Sequence, residues 1–175
     1  MKLELKNIKH TAWASEETHC YQASLYVDGK PVAIVSNDGH GGCDRDYAHP
    51  KFEGDYRATM KAVHDYFQSL PNEPDEWLAD GVGVSVMEQC LEFWCADQVN
   101  DFLVSRELKK KMTKQVLFQK QGEAGVFGTK YHRGGRNGVT DGGWVKDPRA
   151  AQYGRRILND MPFADALAIW KETAE

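Results

Sequence analysis

The chain has 175 residues, 41% of them hydrophobic and 27% charged, and a formal net charge of −4. These values lie near globular averages and exclude a disordered chain, and the length suffices for one domain that buries a core without disulfides or a structural metal. A single domain over residues 1–175 is expected.

The opening Met1–Lys6 alternates polar and apolar residues instead of forming the apolar run of a secretory signal. No window approaches the roughly 18 uninterrupted apolar residues of a membrane span, so a cytoplasmic protein that does not enter a membrane is expected. Cys20, Cys43, Cys90 and Cys95 are scattered without a CxxC pair, which suits reduced thiols. The net charge conceals an asymmetry. Residues 1–105 carry 8 Lys and Arg against 18 Asp and Glu, whereas residues 106–156 carry 13 against 4. Such a split suits either an acidic partner for the basic part or packing of one half on the other.

In chain order, Leu3, Leu5 and Ile8 predict an amphipathic opening strand. Tyr21, Ala23, Leu25 and Val27 then alternate with polar neighbours, and Asp28-Gly29 supplies the positive φ angles of a two-residue turn into a second strand at Lys30–Val35. Pro31 cannot donate a ladder hydrogen bond, which places it on an edge strand or at a strand's start, with a short-paired second strand expected. Residues 36–54 lack an apolar period and read as a long loop. Asp55 is a candidate N-cap for a helix in which Tyr56, Met60, Val63, Phe67 and Leu70 recur at helical spacing until Pro71.

Ser85 and Glu88 have capping-box spacing, which predicts a long helix from there to about Met112, ending in Lys109, Lys110 and Lys111. Val116–Phe118 and Val126-Phe127 flank a glycine-containing turn and predict a second hairpin. Residues 131–145 contain five glycines and read as a mobile loop. Asp147-Pro148 opens a predicted short helix continuing through Ala151, Arg155 and Leu158, and a final helix begins near Pro162. The expected fold is α+β: an antiparallel sheet of hairpins covered by two longer helices, with two short C-terminal helices.

The segments Ser15–Tyr21, Tyr26–Lys30, Ser36–Gly42 and Leu158–Leu167 resemble a group of uncharacterised small proteins from phages and bacterial mobile elements. The resemblance would cover most of the chain. It implies a setting, with no catalytic residue to carry over, and proteins of that setting often bind a host or nucleic-acid component.

Two regions are candidates for function. In Asn37–His49, Asp38, His40, Asp44 and His49 are candidate ligands for a divalent metal, the alternative to a protein with no cofactor. The spacing matches no known zinc or calcium signature. Gly39, Gly41 and Gly42, with His40 and Arg45, are candidates for an anion-binding concavity. The plainer reading is a loop of Asx-turns and solvated histidines.

The second region is basic. Lys109, Lys110, Lys111, Lys114, Lys130, Arg133 and Arg136 are interleaved with Phe127, Tyr131 and Trp144, a mixture of cations for phosphates and aromatic faces for unpaired bases. No recognised nucleic-acid-binding motif accompanies it, and basic helix ends are commonly just solvated. The leading expectation is a non-enzymatic binding protein for a nucleic acid, a nucleotide or another polyanion. The alternatives are a metal-dependent enzyme using the 37–49 loop, and an inhibitor whose acidic part engages a host protein.

Overall fold

The computed structural model describes residues 1–71, 73–74, 86–120, 122–130 and 155–174. The chain groups into two compact units, Met1–Phe102 and Leu103–Glu175.

The first unit is built on a four-stranded antiparallel sheet in sequential order: β1 (Leu3–His10), β2 (Tyr21–Val27), β3 (Lys30–Asn37) and β4 (Arg45–Ala48). The β2–β3 hairpin turns on Asp28 (φ 48°) and Gly29 (φ 82°), two consecutive left-handed residues whose twist matches that of the flanking strands. Tyr21, Ala23, Leu25 and Val27 are all buried, as their alternation predicts. Ser24 is buried as well, so part of β2 is covered on both faces.

Two irregularities shape the sheet. Between Lys6 and Lys9 the β1 register slips, with Asn7 at φ 55°, the left-handed conformation that asparagine tolerates at a bulge. In β3 the register slips beside Pro31, which pairs with Tyr26 while Ala33 pairs with Leu25. A proline cannot donate to the ladder, and its place near the start of β3 next to this slip accommodates that. Pro31 thus sits at the strand's start, one of its two expected places, but β3 is not short-paired as expected: β2 pairs with it from Lys30 to Asn37 and β4 lies on its other side. The expected long loop after it is also interrupted, because Arg45–Ala48 pairs with Ala33–Ser36.

Helix α1 (Tyr56–Gln68) starts where its cap predicts, with Asp55 Oδ1 accepting from the Ala58 amide at 3.0 Å. Met60, Val63 and Phe67 form its buried stripe. Two short strands, β5 (Glu73–Pro74) and β6 (Val86–Met87), pair antiparallel. Helix α2 (Leu91–Met112) therefore begins later than the Ser85 capping box implied, since Val86–Met87 is drawn into pairing. Ser85 lies outside the described residues. Cys95 and Val99 are fully buried, and the Trp94 ring lies 6.4 Å from that of Phe67.

The second unit holds a three-stranded antiparallel sheet in the order β8 (Val126–Lys130), β7 (Gln115–Lys120), β9 (Arg155–Ile157), and helix α3 (Phe163–Ala174). Its core comprises Leu108, Leu117, Leu158, Ala166 and Ile169, with Met161, Phe163, Leu167 and Trp170 packed against it. The β7–β8 hairpin and α3 match expectation. The helix expected through Arg155 and Leu158 does not form there, because Arg155–Ile157 pairs with β7 and a 3-10 turn follows at Leu158–Asp160. Tertiary pairing outweighs the weak local helical register, as it often does for short segments. The rest of that predicted helix and the 131–145 loop lie outside the described residues. The architecture is α+β, with three α-helices among the described residues. No helix there is long and apolar enough to cross a membrane.

Candidate functional site

The 37–49 segment leaves the end of β3 and is organised by one buried side chain. Asn37 Oδ1 accepts from the Gly39 amide at 2.9 Å, an Asx-turn, and from Thr18 Oγ1 at 2.8 Å. Its Nδ2 donates to Gly42 O at 2.8 Å and Asp44 Oδ1 at 3.0 Å. Gly39 O in turn accepts from the amides of Glu16, Glu17 and Thr18 at 3.0 to 3.3 Å. The segment is thus tied to the turn that connects β1 with β2. Gly39 has φ +91°, and a Cβ there would lie 1.9 Å from Ala14 O, so only glycine fits.

The candidate ligands within this segment have separate partners. Asp38 pairs with Arg45 at 3.0 Å, His40 meets Glu16 at 3.3 Å, and His49 Nδ1 accepts from the Lys51 amide at 3.1 Å. Asp44 accepts from Asn37 and from the Tyr21 hydroxyl. Among the described residues, no group of three His, Cys, Asp or Glu side chains is placed to hold a metal ion. Of the three glycine amides proposed for an anion, Gly39 is bonded to Asn37 and Gly41 to Thr18 Oγ1. Arg45 points its guanidinium at Asp38.

Beneath the segment lies a buried polar group that the linear sequence does not reveal. Burial pushes the Tyr21 hydroxyl far above the ordinary phenol range, reinforced by Cys95 and the Asp44 carboxylate. Burial also pushes the Cys95 thiol up to about 12, with the Asp44 charge acting in the same direction and the Tyr21 hydrogen bond against it. Both groups keep their protons at neutral pH, so Cys95 is no activated nucleophile. Nearby, burial and a hydrogen bond to Asp46 raise Tyr56. A small open cleft of about 150 Å³ is lined by Asp44, Asp46, His64, Cys90 and Glu92 over Val35 and Leu91. That is below the roughly 300 Å³ at which small-molecule pockets usually begin.

In the second unit the basic residues divide into two sets. Lys109 Nζ lies 4.8 Å from the Phe163 ring centroid, and Lys111 lies 4.5 Å from that of Trp170 and 2.9 Å from Glu107. Lys120 sits 4.2 Å over Phe127, which also stacks on Phe118 at 6.0 Å. These cations and rings are engaged with each other, and of the rings expected to take bases Phe127 is occupied by Lys120 and Phe118. The other set is Arg106, Lys110 and Lys114, all exposed and spaced by four along the end of α2 and the turn after it. No ion pair involves the Lys110 or Lys114 side chain among the described residues. The Lys130 side chain and residues Tyr131, Arg133, Arg136 and Trp144 fall outside the described part of the chain. No family model, curated protein or solved structure matches the chain.

Proposed function

We propose that this is a non-enzymatic binding protein of phage or mobile-element type, whose second unit engages a polyanion, a nucleic acid or a nucleotide. The observation that carries the reading is the agreement of charge with architecture. Residues 1–102 carry 8 Lys and Arg against 18 Asp and Glu, whereas residues 103–175 carry 14 against 8. The change of sign falls at the boundary between the units, and Arg106 and Lys110 on α2 and Lys114 in the turn after it are exposed just beyond that boundary.

Such cations displace counterions from phosphates, so binding is salt-dependent and largely indifferent to sequence. The test is fluorescence anisotropy with labelled single- and double-stranded DNA and RNA across a salt titration. Saturable binding, with log affinity falling linearly against log salt, is the expected result. Absence of binding at low salt would overturn the reading.

A further inference from the structure

Trp13 is 88% exposed, well above Tyr47 at 49%, among the large hydrophobic side chains described. A solvated indole keeps its large apolar face in water, which association with a partner would remove. The turn that carries it is not loose. Thr11 and Cys20 are joined by a 2.9 Å backbone bond, and Ser15 Oγ donates to Thr11 O at 3.0 Å while accepting from the Cys20 amide at 2.9 Å. The next three amides converge on Gly39 O. The 3-10 turn Ala12–Ala14 is therefore held from both sides with its indole outward.

We infer that the Trp13 turn is the docking point for a protein partner with a basic surface and an apolar recess for the indole. A braced turn needs little further ordering on association, and tryptophan is among the residues that most often dominate interface affinity. Charge selects the occupant. Glu16, which meets His40, and Glu17 are exposed just after Trp13, and residues 1–102 carry 8 Lys and Arg against 18 Asp and Glu. A nucleic acid or an anionic membrane is repelled by such a surface, whereas a basic protein surface is attracted and steered to it. This contact lies on the acidic unit and is independent of the polyanion reading for the basic one.

The test pans a displayed random dodecapeptide library on the immobilised full chain, with the Trp13→Ala chain as the subtractive target. Enriched peptides are then synthesised and titrated. Lys- and Arg-rich peptides should emerge and lose roughly tenfold or more in affinity on Trp13→Ala. A similar loss is expected on Glu16→Lys combined with Glu17→Lys, which leaves the indole in place. Peptides without excess positive charge, peptides that bind Trp13→Ala equally well, or no enrichment would overturn the inference. So would Trp13-dependent binding to phosphatidylcholine vesicles, or Trp13-dependent dimerisation in sedimentation.

Discussion

The Leu117 amide donates to Asn159 Oδ1 at 2.7 Å, across 42 residues of chain. The same side chain donates through Nδ2 to Met112 O at 3.0 Å and Gln115 O at 3.1 Å. One amide thus satisfies a carbonyl at the end of α2, a carbonyl and an amide of β7, and anchors the 3-10 turn beside the Leu158 core. Asn159→Ala should destabilise the second unit by about 2 to 3 kcal/mol, since it leaves part-buried backbone groups unpaired. Asn159→Asp, which keeps the acceptor but loses the donors, should also destabilise. Chemical denaturation of the full chain measures both, and a change below about 0.5 kcal/mol would show that water replaces the side chain.

Gly39→Ala should cost about 2 kcal/mol or more, because the new Cβ meets the Ala14 carbonyl at a left-handed φ. Asp28→Gly, at the hairpin turn, is the contrasting case. There the residue already has a positive φ of 48°, which glycine adopts freely, so with only the exposed bond from the Lys2 amide lost the effect should stay within about 1 kcal/mol. Thermal melts of the two variants separate a steric site from a permissive one.

Stability should decline at alkaline pH. Cys95, Tyr21 and Tyr56 all have folded-state pKa values above their ordinary ones, so the folded chain holds protons that the unfolded chain releases. Stability is fully present below the unfolded thiol value of about 8.5 and falls as pH rises toward 12, first through Cys95 and then, above about 10, through the tyrosines too. Cys95 contributes a slope of about 1.4 kcal/mol per pH unit within its window, whereas the partly exposed Tyr56 contributes little because solvent screens it. Cys95→Ala should flatten the curve between pH 9 and 10, measured by urea denaturation at stepped pH.

Thiol reactivity follows the same environments. Cys43 is exposed and Cys95 is fully buried, so iodoacetamide at pH 8 should label Cys43 first and leave Cys95 unlabelled until the chain unfolds. Peptide mass spectrometry reads the order, and early labelling of Cys95 would contradict its burial.

Among the exposed cations, Lys110→Glu with Lys114→Glu should weaken oligonucleotide binding and lower the salt slope by roughly 0.9 for each duplex phosphate that the double variant no longer neutralises. Lys111→Glu is a poor substitute as a test of binding. It removes a cation from the Trp170 face and sets a carboxylate beside Glu107, so it should lower stability as well.

The legible parts of the fold were those whose chemistry is local. Asp28-Gly29 specifies its turn by backbone preference alone, and Asp55 with Met60, Val63 and Phe67 carries both the cap and the buried stripe of α1. Arg45–Ala48 was not legible because all four residues are exposed, leaving no apolar alternation; its extended form comes from pairing with β3. Arg155–Ile157 reads locally as helix and becomes a strand only because β7 is beside it. At the candidate sites, the Asx-turn chemistry of Asn37 was visible in composition, whereas its bonds to Thr18 and Asp44 were not. The count of charges located the acidic and basic stretches, but separating Lys110 and Lys114 from Lys109 and Lys111 required knowing which rings stand beside them. Trp13 carried no signal at all, since exposure of one indole is a property of the folded chain.

The slip in β1 at Asn7 bears on what can pair with this strand. Among the described residues β1 is an edge of its sheet, and an unpaired edge is a template on which a strand from another molecule can add. Here the backbone bends midway, and Lys2, Lys6 and Lys9 stand exposed along it. An incoming strand would meet only short straight stretches and a row of charged side chains, with Lys2 and Lys6 already held on Glu4 and Lys6 over the Tyr26 ring, so pairing along this edge is disfavoured.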